Sequence, residues 1–198
     1  MEILVIIVGA LITNNIIFSQ SLGMCSFLGV SKKMNSAVGM GLAVTFVMTV
    51  SAIISWIFFN FVLTPLSLQY LQIIVFILVI GSLVQLLDIV LKKLTPVLYN
   101  SLGIYLALII TNCAILGTAN AIAAADLNIL EVVFTSVFVG LGFLLALVLM
   151  SGVREKLETA PIPKHFKGFP IALIIGAIMA MAFIGFRGID DTMRAFFN

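Results

Sequence analysis

Charge is what this sequence has least of: 9% of its 198 residues are Asp, Glu, Lys or Arg, while 63% are hydrophobic. Soluble domains carry about a quarter charged residues, so a water-soluble globular domain is excluded. Histidine occurs once and cysteine twice, too few for a disulfide framework or a self-contained four-thiolate metal site. The one histidine, His165, lies in a polar stretch and reads as solvated. There is no glycine-rich dinucleotide fingerprint and no room for a soluble catalytic module. Nor do aromatic and basic residues interleave in the way that suggests nucleic acid.

What is present is a series of long apolar runs. Stretches of about twenty apolar residues signal membrane spans, and six can be read: Ile3–Gly23, Val38–Phe61, Leu71–Leu91, Leu102–Ala119, Leu130–Met150 and Pro170–Phe186. The expected fold is an all-α integral membrane protein, a single transmembrane domain over residues 1–198. The N-terminus carries Glu2 where a signal peptide has a basic region, and no small-x-small site precedes Lys32, so the first run reads as a retained span. Basic residues set the orientation. Lys32, Lys33, Lys92, Lys93, Arg154, Lys156, Lys164 and Lys167 follow spans one, three and five, whereas the other side has only Arg187 and Arg194. The positive-inside rule places the larger group in the cytoplasm and both termini outside. Asp88 stands four residues before Lys92 and reads as an interfacial ion pair. The glycines Gly39, Gly41, Gly140, Gly142 and Gly176 offer surfaces for close helix approach, and Trp56 suits an outer interface.

Three spans, a loop and three more make two halves, residues 1–92 and 93–198. An odd-numbered repeat reverses direction in the bilayer, so the halves are expected to be inverted three-helix repeats. Leu11-Ile12-Thr13-Asn14-Asn15-Ile16-Ile17 parallels Ile109-Ile110-Thr111-Asn112-Cys113-Ala114-Ile115. Polar residues inside membrane spans are costly and usually functional. Asn14, Asn15, Thr111 and Asn112 therefore mark spans one and four as the unusual ones. Broken or half helices there would leave backbone groups that such side chains satisfy; ordinary interhelical hydrogen bonds explain the same residues equally well.

Cys113 falls within span four and Cys25 just before the basic pair Lys32-Lys33. A cysteine in a membrane helix is ordinarily a small apolar side chain. If the pair instead holds a cluster, its remaining ligands must come from another polypeptide. A continuous helix from Ile3 would carry Cys25 ~33 Å from its start, to the cytoplasmic edge, so the two thiols can meet only if span one is shortened, broken or re-entrant around Asn14–Gly23.

Several segments together resemble the NqrE/RnfA family of membrane subunits over essentially the whole chain. They are Gly-Met-Cys-Ser-Phe-Leu-Gly-Val-Ser-Lys-Lys (Gly23 to Lys33), Gly-Met-Gly-Leu-Ala-Val-Thr-Phe-Val-Met-Thr (Gly39 to Thr49) and Pro-Val-Leu-Tyr-Asn-Ser-Leu-Gly-Ile (Pro96 to Ile104). Thr-Asn-Cys-Ala-Ile-Leu-Gly (Thr111 to Gly117) and Arg154-Glu155-Lys156-Leu157 complete the set. Phe46 to Thr49 and Thr111 to Cys113 lean towards the Rnf A-type branch rather than the E-type branch of sodium-pumping NADH:quinone reductase.

The resemblance implies a six-helix component of a bacterial inner-membrane complex, the Rnf complex, that couples electron transfer between ferredoxin and NAD to Na+ or H+ movement. It implies that Cys25 and Cys113 ligate an intramembrane [2Fe-2S] cluster shared with the homologous, oppositely oriented E-type partner. Asn14, Asn15, Thr111 and Asn112 would then shape the helices around that cluster. The B, C, D and G components would be the other partners, with flavin, NAD and ferredoxin sites located there, so this chain alone holds no complete active site. The residues also fit a small secondary transporter with a midplane substrate site, or a structural anchor with inert cysteines.

Overall fold

The computed structural model describes residues 14–64, 69–94, 108–109, 111–125, 127–159, 161, 163 and 168–186. All the regular structure among them is helical: α1 (Ile16–Gln20), α2 (Met24–Val30), α3 (Met34–Phe58), α4 (Gln72–Leu94), α5 (Cys113–Ala124), α6 (Ile129–Glu158) and α7 (Phe169–Ile184). A single π turn, Phe59–Leu63, prolongs α3, and a 3₁₀ turn, Gln69–Leu71, leads into α4. Among the described residues two helical stretches, Met34–Leu63 and Ile129–Leu157, are long and apolar enough to cross a membrane, against the six spans expected, and Gln72–Leu86, Cys113–Ala124 and Phe169–Ile184 are shorter apolar helices. By contacts the chain divides into two compact units, Met1–Leu42 with Phe138–Asn198, and Ala43–Val137.

In the first unit, α1 and α2 pack on α7. Phe18 stacks on Phe183 with ring centroids 4.5 Å apart and meets Phe27 edge-on at 5.7 Å. Gly176 lies under the Phe27 ring, where a Cβ would come within 3.5 Å of Cε1. A close helix approach occurs at Gly41, where an added Cβ would meet Leu144 Cδ1 at 2.8 Å and its Cβ at 3.0 Å. Because the Cβ of Leu144 is nearly as close as its tip, rotation cannot clear the clash. Gly41→Val is expected to cost about 1–3 kcal/mol through overpacking. Gly39→Val, with nothing within 4 Å of its Cβ position, serves as control, and thermal unfolding in detergent should separate the two.

In the second unit, α4 packs on α5, and Gln72 Nε2 donates to Asn120 Oδ1 at 3.0 Å. One stripe of α4 is buried (Phe76, Val79, Ile80, Val84), while Ile73, Ile74, Ile77, Leu78 and Leu86 are exposed. That is an inside-out pattern for water and a normal one for lipid. Ala52, Ile122 and Val132 form a small core, flanked by Trp56 and Leu127. Trp56 is more than an interfacial anchor, since its Nε1 donates to Leu127 O at 2.9 Å and ties α3 to the α5–α6 connection.

Helix ends depart from the expected spans in a consistent way. Lys92 and Lys93, expected in a loop, lie inside α4, and Arg154 and Lys156 lie inside α6. Lys, Arg, Glu and Leu are good helix formers, and basic side chains near a helix C-terminus oppose its dipole. The helix therefore runs beyond its apolar segment. At the other end of α6 the Asn128 amide donates to Glu131 Oε2 at 3.1 Å, the reciprocal half of a capping box. The Asp88 and Lys92 side chains, His165, Lys164, Lys167, Arg187, Arg194 and both termini lie outside the described residues, as do the first halves of spans one and four.

Candidate functional site

Between Asn14 and Lys32 the chain forms two short helices rather than one. After five residues α1 stops at Ser21, which is left-handed (φ 56°, ψ 25°), and Gly23 is left-handed again (φ 82°, ψ 15°) before α2 begins. Glycine adopts this conformation without steric cost, whereas serine does so only when its surroundings hold it. The Ser21 N–H donates to Ile16 O, and Leu22 N donates to the same oxygen at 3.2 Å, satisfying the end of α1 in the manner of a left-handed C-cap.

The start of α1 is set by Asn15. Its Oδ1 accepts from Ile17 N at 3.1 Å, and its Nδ2 donates to Gly142 O at 2.7 Å. Asn15 is 1% exposed; it caps one helix and ties it to α6 with the same amide. Asn14 is exposed. The tandem asparagines thus split into a buried cap and a surface residue, a distinction that composition could not make.

Cys25 is the second residue of α2 and is exposed. Its Sγ lies 3.8 Å from Ser26 Oγ. A cleft of about 430 Å³ opens beside it, lined in part by Met24, Lys32, Arg154 and Gly168. Among the described residues no acid lines that cleft. Arg154 is half-buried on α6, and its Nη1 donates to Leu28 O and to Ser31 Oγ, both at 2.8 Å.

A second non-helical stretch precedes Cys113, with an extended rather than a left-handed backbone. Residues 108–109 are helical, 111–112 are not, and α5 starts at Cys113. Asn112 is the N-cap (φ −75°, ψ 111°), 3% exposed, and its Oδ1 accepts from Ala114 N at 3.1 Å. Thr111 is exposed, and Cys113, the first residue of the helix, is partly so. The N–H groups of a first turn lack partners within their helix and favour negative charge nearby. One turn on, the Thr118 hydroxyl lies 2.9 Å from Ala114 O and 3.6 Å from Met48 Sδ.

Cys25 belongs to the first unit and Cys113 to the second, and two features of their settings are shared. Each sits in the first turn of a helix that follows a non-helical break, and each opens the pattern Cys-x-x-Leu-Gly, Cys25 to Gly29 and Cys113 to Gly117. This parallel competes with the Thr-Asn one, in which Asn15 would match Cys113. In the structure the two capping asparagines, Asn15 and Asn112, are one residue out of step in that alignment. Asn14 and Thr111 make surface, whereas Asn15 and Asn112 make helix starts. Among the described residues no group of three or more His, Cys, Asp or Glu gathers as a closed metal site. Each unit carries one cysteine among its described residues, Cys25 in the first and Cys113 in the second.

Residues 3–190 match the family described as Rnf-Nqr subunit, membrane protein. The chain is 50% identical over 188 residues to the A-type component of the Na(+)-translocating ferredoxin:NAD(+) oxidoreductase complex of Acetobacterium woodii, covering 95% of this chain and 98% of that one. It is 47% identical to the A-type component of the ion-translocating oxidoreductase complex of Syntrophotalea carbinolica, over 95% and 97% of the two chains. Against the A-type component of the proton-translocating ferredoxin:NAD(+) oxidoreductase complex of Clostridium ljungdahlii it is 45% identical, over 93% and 96%. With apolar helices among its described residues and likeness along nearly its whole length, the chain belongs to the Rnf-Nqr family of membrane subunits.

Proposed function

We propose that this chain is an electron-relay component of an ion-translocating ferredoxin:NAD oxidoreductase complex. In this reading Cys25 and Cys113 supply two of the four ligands of a [2Fe-2S] cluster, and a homologous, oppositely oriented partner supplies the other two. The supporting observation is the matched placement of the cysteines, each in a first helical turn after a break in what would otherwise be one span. When bound, the cluster supplies one-electron transfer between neighbouring carriers of the complex. The chain's own part is mechanical and electrostatic. Asn15 and Asn112 fix where the short helices begin, Phe18 and Phe27 seat α1 and α2 against α7, and cations line the cleft beside Cys25. Metal coordination deprotonates thiols that would be costly to bury as free thiolates.

The same reading includes six spans in two inverted halves, a bacterial inner-membrane location and both termini on the outer side. The B, C, D and G components would complete the complex, and the coupling ion is Na+ or H+. Among relatives of this chain, the Acetobacterium protein is named for sodium and the Clostridium protein for protons, at nearly equal identity, so overall likeness is no guide to the ion. The test is spectroscopy of this chain co-expressed with its E-type sister, against each chain alone. A [2Fe-2S] signal with iron and acid-labile sulfide only in the pair is the expected result. Its absence from the pair would overturn the reading.

A further inference from the structure

We propose that Arg154 is a positioning residue for the Cys25 ligand and, with Lys32, raises the reduction potential of the centre that Cys25 holds. This rests on the relay reading above. Arg154 is remote from Cys25 in sequence, yet α6 brings its guanidinium to the far end of the same short helix. One nitrogen, Nη1, bridges Leu28 O and Ser31 Oγ at 2.8 Å each. Leu28 lies in the last turn of α2, where carbonyls lack partners within the helix, and a cation there also opposes the helix dipole. Ser31, the C-cap, is 0% exposed. No side chain caps the Gly23 end of this helix, so the Arg154 contacts at its other end are what tie the seven residues that carry Cys25 to α6.

The charge has a second effect. Cys25, Lys32 and Arg154 line one cleft, with no carboxylate among its described walls. A four-thiolate iron–sulfur centre is anionic and gains one further negative charge on reduction, so nearby cations favour the reduced form. Arginine suits the place because it stays charged when partly buried and its planar head is less mobile than an ammonium on a flexible stem.

The experiment is a potentiometric titration of the cluster signal in the intact complex, wild type against Arg154→Gln, Arg154→Lys and Lys32→Gln. Arg154→Gln is expected to keep the [2Fe-2S] signal but lower its reduced-to-oxidised ratio about tenfold at fixed ambient potential, a shift of about 59 mV to the negative for one electron. Arg154→Lys is expected to restore much of the potential while broadening the signal, since one ammonium holds the helix less firmly. Lys32 is exposed, so Lys32→Gln tests the charge effect even if Arg154→Gln fails to assemble, and a smaller shift in the same direction is expected. An unmoved potential in Arg154→Gln overturns the inference, as does an unmoved potential in Lys32→Gln should Arg154→Gln not assemble. Either result leaves the cysteine assignment standing. A wild-type complex without a signal, or a Cys25→Ser variant that keeps it, overturns the relay reading and this inference with it.

Discussion

Cys113→Ser is expected to abolish the [2Fe-2S] signal and reduce ferredoxin-dependent NAD reduction to background, while the chain still inserts and accumulates. Serine is nearly isosteric, and the cap that starts α5 belongs to Asn112, not to residue 113. The helix should therefore form as before, and a partly exposed position tolerates the change within about 0.5 kcal/mol. What is lost is the donor, because a hydroxyl is a poor replacement for a thiolate on iron. Iron content, low-temperature spectra and immunoblots of the membrane fraction together separate loss of ligand from loss of protein. A normal signal in the variant would remove Cys113 from the ligand set. Activity unchanged in a Cys25→Ser, Cys113→Ser double variant would reduce the cysteines to packing residues, as the structural-anchor alternative holds.

Asn15→Ala is the second large effect, and it is one of stability. The substitution removes an N-cap, worth about 1 kcal/mol, and a buried hydrogen bond to Gly142 O of about the same size. A total of about 2 kcal/mol is expected. It should appear as a lower unfolding temperature in detergent and reduced accumulation in the membrane. Asn15→Ser keeps a short capping oxygen but cannot reach Gly142, so about half the loss should return. Asn14→Ala, at an exposed position, should be close to neutral. Equal losses at 14 and 15 would contradict the division of labour seen between the two asparagines.

The class of molecule was legible because scarcity of charge is a global property that no local ambiguity can hide. The breaks were only half legible, because Asn and Thr inside an apolar run fit a broken helix and an interhelical hydrogen bond equally well. In the second of the two segments the helix starts just after Asn112. In span one the same signal pointed to two asparagines at once, and only packing against Gly142 decides for Asn15. The left-handed pair Ser21 and Gly23 was half visible, since glycine announces such a turn and serine does not. The Cys-x-x-Leu-Gly echo was masked by the more conspicuous asparagines. Arg154 could not be read as more than a topology signal, because its partners lie 126 and 123 residues away. Nor does local pattern anticipate the π turn that ends α3.

The ridge of Ile73, Ile74, Ile77, Leu78 and Leu86 on α4 has a practical corollary. Bulk water wets such a strip poorly, so this polypeptide has no aqueous existence to fall back on when its neighbours are stripped away. A preparation of the isolated chain reports the hospitality of its micelle as much as its own conformational preferences. Nanodiscs or the undissociated assembly are the settings in which its energetics belong to the protein alone.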